Sequence, residues 1–260
     1  MLFCYNNFLG NSTVLLALLV LFSSFELPNE KKFIARKVEN IEVRDAKGNT
    51  ARLLDNLNGK PLVLSPVYTR CPMACSYISS GLLKTVETLG TLGSDFNIVS
   101  FSFDSTDTKE DLAAFEKRWK MNGVNWKTVT AGKNEIAALL NSIDYKYDYD
   151  EKSNEYGHPN LVVVVTPSGR ISRYIYGIEP KPKDLKLAIM EAQVEKTSLN
   201  NFFQTIYVRC FTFNPATKSY HVDWRFISQT SVGLMFIVIL GILLIRNLYS
   251  TNKEDLSEAS

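Results

Sequence analysis

Between residues 62 and 68 the chain is almost continuously apolar, a length and pattern that predict a buried β-strand. A short polar turn follows and carries Cys71 and Cys75 with three residues between them. From Tyr77 onward the spacing changes. Ile78, Leu82, Leu83, Val86 and Leu89 recur on one face of a helix, which Gly90 and Gly93 close. The rest of the chain is organised around this strand, turn and helix.

Upstream, residues 40–57 offer two short strands around Lys47-Gly48-Asn49, a hairpin signal. Downstream, a strand over 97–103 leads into Asp104-Ser105-Thr106-Asp107-Thr108, an acidic, hydroxyl-rich turn suited to capping a helix. That helix, 109–120, sets Leu112, Phe115 and Trp119 on one face, and a shorter helix over 134–143 follows. A polar, tyrosine-rich loop over 144–157 ends in His158-Pro159-Asn160. Residues 161–166 carry the strongest strand signal in the chain, Pro167-Ser168-Gly169 turns it into a strand over 171–176, and an amphipathic helix over 184–195 closes the unit. Strands and helices mixed in this way predict a thioredoxin-like α/β sandwich with an N-terminal hairpin extension.

Both ends have a different character. Residues 14–22 are apolar, a length that suits a signal-peptide core better than a membrane span, although no Lys or Arg precedes them and Ser23-Ser24-Phe25 is a poor cleavage site. An uncleaved anchor is the alternative, and either reading sends the downstream domain out of the cytoplasm. After an aromatic stretch over 200–224, residues 226–245 are apolar apart from a polar edge at 228–231, and Arg246 ends the run. About 20 such residues suffice to cross a bilayer. The flanking charges, Lys218 and Arg225 before and Arg246 and Lys253 after, are too balanced to orient the span. The expected organisation is a signal peptide or anchor (1–25), the sandwich domain (26–196), a juxtamembrane linker (197–225), a transmembrane helix (226–246) and a cytoplasmic tail (247–260).

Composition narrows the chemistry. A chain that is 45% hydrophobic with a net charge of +2 and no basic run gives no footing to a nucleic-acid partner. Four cysteines and two histidines are a small inventory, so each is informative. A helix N-terminus favours thiolate over thiol, and residues four apart share one side of the first turn. Cys71 and Cys75 can therefore close a disulfide or grip a soft metal ion. The plain alternative is two small buried apolar residues, which a polar turn disfavours. Met73 could lend a thioether but more often such a residue packs, and Asp104 and Asp107 read as a cap rather than as metal ligands. Cys210 and His221 are too few to form a site of their own.

Several of these stretches resemble the Sco/SenC family: Gly59-Lys60-Pro61, Cys71-Pro72-x-x-Cys75, Ser102-Phe103-Asp104, His158 ahead of a strand, and Tyr176-Gly177-Ile178-x-Pro180. The similarity spans about residues 40–194, and Cys210-Phe-x-Phe-Asn-Pro-Ala-Thr-Lys-Ser-Tyr220 ahead of a C-terminal span resembles a bacterial branch of the family. Three departures stand out. Ser76 replaces a usual proline, the acidic segment is one residue shorter and lacks its prolines, and the histidine lies between Gly157 and Pro159. None removes a ligand atom.

The resemblance implies a thioredoxin-fold, membrane-tethered protein of cytochrome c oxidase assembly. In it Cys71, Cys75 and His158 bind one copper ion, Cu(I) or Cu(II), taken from an upstream donor and passed to an oxidase subunit. It also implies a bacterial inner-membrane location with the domain facing the periplasm or exterior. The second hypothesis is an exported thiol–disulfide oxidoreductase, with Cys71 attacking, Cys75 resolving, and His158 a bystander or a tuner of thiolate character. Structural zinc wants four ligands where only three can be nominated. A peroxidase of the peroxiredoxin sort lacks its Thr-x-x-Cys pattern around Cys71. Pro159 stands where thioredoxin-like folds usually carry a cis-proline.

Overall fold

A computed structural model describes residues 27–70, 74–150, 155–194, 209–214 and 216–258. Three strands form its centre: β3 (Leu62–Val67), β4 (Asn97–Ser102) and β8 (Leu161–Val165), every residue of which is buried. Strands covered on both faces read as unbroken apolar runs, which is why the sequence announces them so clearly. β1 (Glu42–Asp45), β2 (Thr50–Arg52), β5 (Trp126–Thr130) and β9 (Ile171–Tyr176) extend them into a seven-stranded sheet in the order β2-β1-β5-β4-β3-β8-β9. β3 runs parallel to β4 and antiparallel to β8. The end of β3, the end of β4 and the start of β8 therefore meet at one edge of the sheet. Pro66 lies beyond Leu64↔Val163, the last β3–β8 pair, where its missing N–H costs that ladder nothing.

Alternation along the central strands divides the core in two. Leu62, Leu64, Val99, Phe101, Leu161 and Val163 face one layer, which contains Phe115 of α3 (Lys109–Arg118) and Ile136 and Leu139 of α4 (Lys133–Ser142). A short helix α1 (Glu30–Phe33) adds Phe33 to that layer. Val63, Ile98, Val162 and Val164 face the other, with Leu82 and Val86 of α2 (Ala74–Leu89) and Leu185, Ala188 and Ile189 of α5 (Pro182–Val194). This is the thioredoxin-like sandwich with its N-terminal hairpin, as expected.

Helix α2, which starts at Ala74, is fixed against the 178–180 segment. A Cβ on Gly81 would lie 2.3 Å from the Ile178 carbonyl oxygen, so only glycine admits this approach. Thr85 donates to the Pro180 carbonyl and Lys84 pairs with Glu179 at 2.7 Å. Gly90, at φ +65°, ends the helix in the left-handed conformation and donates its N–H to Val86 at 3.0 Å.

Four features differ from the sequence reading. β5 was not expected; its Thr128 and Thr130 are buried, and the Thr130 hydroxyl is satisfied by the Ser102 and Asp104 carbonyls, so polar residues form a central strand. The tyrosine-rich loop contains a small hairpin, β6 (Asp148–Asp150) with β7 (Glu155–Gly157). The cap of α3 is Thr108, boxed with Asp111, while Asp104 and Asp107 turn inward. Finally, part of the expected linker is folded: β10 (Phe211–Asn214) and β11 (Ser219–Val222) form a hairpin whose Phe213 and Tyr220 are buried against the domain. There the Tyr220 hydroxyl donates to Glu191 at 2.6 Å, Arg173 pairs with the same carboxylate, and the Arg173 guanidinium stacks 5.1 Å from the Phe213 ring.

Two residues after β11 begins helix α6 (Trp224–Glu258). Its first 20 residues, Trp224–Leu243, contain an 18-residue window with a mean hydropathy of 2.2, none of it buried within the protein. They are long and apolar enough to cross a membrane.

Candidate functional site

The end of β3 carries Thr69 and Arg70 towards the cysteine turn, and both are tied to the turn after β4. Asp107, buried, accepts hydrogen bonds from the Thr69 hydroxyl at 2.8 Å and from Ser102. Arg70 bonds Asp104 and Thr106, and its Nε lies 3.6 Å from Asp107. The two carboxylates respond differently. Burial pushes Asp104 up, but hydrogen bonds from Thr106 and Arg70 outweigh it and hold the group below its ordinary range. Burial dominates at Asp107 and keeps it above, despite the hydroxyls of Ser102 and Thr69, with the Asp104 charge adding to the effect. Arg70 is half-exposed and held more firmly protonated, first by its bond to Asp104. A cationic residue, paired with Asp104, thus directly precedes Cys71 in the sequence.

Cys71, Pro72 and Met73 lie outside the described residues, and with them the expected disulfide-range spacing of the cysteine pair. Helix α2 begins at Ala74, which puts the Cys75 backbone in its first turn, at the positive end of the dipole.

His158 lies between β7 and β8, at the same edge of the sheet. It is only 7% exposed, so the common fate of a loop histidine, facing solvent, does not apply. Its ring sits in an aromatic recess: Tyr68, at the end of β3, stands perpendicular to it at 6.1 Å, and Phe103, at the end of β4, lies at 5.6 Å. Nδ1 is 2.9 Å from the Tyr145 hydroxyl and 3.3 Å from the Pro159 carbonyl, to which Tyr145 also donates at 3.2 Å. The bond before Pro159 is trans: no cis peptide occurs among the described residues, so the cis-proline expected there is absent. Beside the recess opens a cleft of about 330 Å³ lined by Tyr68, Arg70, Asp104, Thr106, Tyr149 and Tyr156.

The remaining candidates lie elsewhere. Cys210, a half-buried free thiol, precedes β10, and His221 is exposed on β11 with Nε2 2.8 Å from the Thr217 hydroxyl. Among the described residues no three histidine, cysteine or acidic side chains gather into a metal cluster. Sequence reasoning missed Tyr145, Tyr68, Phe103 and Arg70. The density of tyrosines in the 144–157 loop was the one signal that could have pointed to the recess.

The family profile described as SCO1/SenC matches residues 32–192. Among solved structures, a protein from Aquifex aeolicus VF5 described as a candidate for electron transfer is 38% identical, with a TM-score of 0.59 over 63% of this chain and 96% of that one. Arabidopsis thaliana ScoI, solved with copper bound, shares the fold at 19% identity and a TM-score of 0.51, over 62% of this chain and 99% of its own. BsSco, described as a member of the Sco family of cytochrome c oxidase assembly proteins and as having a disulfide switch, shares the fold at 19% identity and a TM-score of 0.55, over 67% of this chain and all of its own. No curated protein matches the chain. With well over half its length matched by the profile and its sheet, cysteine-bearing helix and histidine in the order described, the chain belongs to the SCO1/SenC family.

Proposed function

We propose that the protein is a copper chaperone of the Sco type, with Cys71, Cys75 and His158 as ligands and copper as cargo delivered to an oxidase subunit. The observation that carries this reading is the buried imidazole of His158, packed against Tyr68 at the end of β3, three residues before Cys71 in the sequence. The donor set fits the ion: thiolates suit Cu(I), and an added imidazole suits copper in either oxidation state. Bound copper would supply the charge that keeps both thiols deprotonated, so retention weakens at low pH. Arabidopsis ScoI, a copper-bound relative in fold, supports the choice of metal, and the assembly role described for BsSco supports an oxidase subunit as recipient.

A second reading is favoured by Arg70 before Cys71 and by the helix dipole at Cys75. Here the Cys71 thiolate attacks a partner disulfide, one partner sulfur leaves as thiolate, and Cys75 displaces the other. The partner ends reduced and this chain oxidised, to be reset by an upstream dithiol reductant. The two roles are compatible, because copper transfer needs reduced thiols on both sides.

On either reading, residues 1–25 are a signal peptide or anchor, the helix from Trp224 crosses the membrane, the domain faces the periplasm or exterior, and the tail from 247 is cytoplasmic. Copper loading of the purified full chain, set against its disulfide-exchange rate, tests the proposal. One equivalent retained by the wild type and held far more weakly by His158→Ala, with exchange intact, is the expected result. Full retention by that variant leaves the oxidoreductase alone.

A further inference from the structure

Three polar atoms meet in the recess: the Tyr145 hydroxyl, His158 Nδ1 and the Pro159 carbonyl oxygen, separated by 2.9, 3.2 and 3.3 Å. Tyr145 and His158 are both buried, so a mismatch of hydrogens among these atoms is costly. A carbonyl oxygen only accepts, and a phenol has one hydrogen to give. If Nδ1 carries a proton, all three contacts are satisfied: Nδ1–H donates to the hydroxyl and the hydroxyl donates to Pro159. If Nδ1 is bare, the single phenolic hydrogen must serve two acceptors, and the ring nitrogen and carbonyl face each other lone pair to lone pair at 3.3 Å.

We propose that Tyr145 is a positioning residue that fixes neutral His158 as its Nδ1–H tautomer and thereby leaves the lone pair on Nε2. A metal-binding histidine ordinarily donates through the nitrogen it does not use for the metal, and that outer partner sets the tautomer and the ring orientation. Tyr145 supplies this partner from the segment after α4, thirteen residues before the histidine, and the Phe103 ring packs 6.0 Å from its own. The inference rests on the copper reading for its purpose but not for its chemistry, since the tautomer exists in the metal-free protein.

The test is long-range proton–nitrogen NMR of the full chain, labelled with ¹⁵N-histidine in detergent and copper-free, near pH 8 where imidazole is ordinarily neutral. His221, exposed on the hairpin, serves as the internal reference. The wild type should show His158 protonated at Nδ1. In Tyr145→Phe, which keeps the ring packing, the ratio of Nδ1–H to Nε2–H should fall roughly threefold to tenfold, the range one hydrogen bond supports. Copper affinity should fall by roughly tenfold or more, as for other outer-partner losses. Tyr220→Phe, which removes a phenolic hydroxyl on the other face of the sheet, should leave the tautomer unchanged. An Nε2–H wild type, or a ratio unmoved by Tyr145→Phe, overturns the inference. If Tyr145→Phe fails to fold, the wild-type spectrum alone decides between the two tautomers. A wild type with the Nδ1–H form that takes up no copper supports the inference and overturns the copper reading instead.

Discussion

The chain has two histidines, and they occupy opposite settings. His158 lies at the edge of the central sheet among the rings of Tyr68, Phe103 and Tyr145, with Nδ1 engaged by a phenol that is itself buried. His221 lies on the outer face of the β10–β11 hairpin, exposed, with Nε2 shared by Thr217 and Ser219 from its own turn. The first is held by residues from distant parts of the chain, and the second by neighbours two and four positions away. A ring fixed from several directions in a water-poor recess is suited to presenting one nitrogen to a ligand. A ring on a solvated hairpin meets only its local hydroxyls. The hairpin's own contribution lies on its inner face, where Phe213, Tyr220, Arg173 and Glu191 close a network among themselves and join the strands just before α6 to α5 and β9.

If the sheet edge is chemical and the hairpin structural, substitutions should separate cleanly. The largest effect is expected at the cysteines. Cys71→Ser and Cys75→Ser should each abolish retention of copper and disulfide exchange, whereas Cys210→Ser should keep a full equivalent, measured by metal analysis after desalting. A full equivalent in either of the first two variants breaks the shared site. His158→Ala should weaken copper by roughly a hundredfold or more, beyond the range of outer-partner losses, while His221→Ala changes nothing in a competition titration.

The hairpin should show the reverse pattern. Tyr220→Ala should cost about 3 kcal/mol of unfolding free energy, by loss of a buried ring, and Tyr220→Phe about 1 kcal/mol, by loss of its bond to Glu191. Copper stoichiometry should be unchanged in both. Denaturant titration in detergent gives the first quantity and metal analysis the second. A hairpin variant that lost copper without losing stability would erase the distinction.

Smaller effects are expected from the two aspartates. Asp104 is held below its ordinary range, so the stability it lends is present above that range and is lost as pH falls through the folded value. Asp107 is held above, so folding takes up a proton there, and stability declines as pH rises from the ordinary carboxylate value through the raised one. Stability measured across the acid range should lose its acid-side slope in Asp104→Asn and its opposite slope in Asp107→Asn.

The legibility of each element in the sequence depends on how local its interactions are. β3, β4 and β8 are buried on both faces, and α2 keeps its apolar residues on one side, so each declares itself within a short window. β5 does not, because Thr128 and Thr130 fill central positions that hydroxyl-to-backbone bonds make tolerable. The aromatic residues of β10 and β11 were legible as unusual, but their partners on β9 and α5 are some thirty to forty positions away, so the segment read as a linker. The cysteine pair was legible by residue type and spacing, and His158 became a ligand candidate through its place before β8 and the family resemblance. Tyr145 and Arg70 were not, since their roles depend on His158 thirteen residues on and Asp104 thirty-four residues on. The expectation of a cis-proline was carried by position within the fold rather than by any property of Pro159, and it failed.

The central claim, that two cysteines and His158 hold one metal ion, is most directly tested by X-ray absorption at the copper edge. The full chain would be loaded with one equivalent of Cu(I) in detergent, as wild type and as His158→Ala. The wild type should show two sulfur scatterers and one imidazole nitrogen, and the variant should lose the nitrogen while keeping the sulfurs. Identical spectra from the two proteins, or a wild-type site with no nitrogen, would contradict the account.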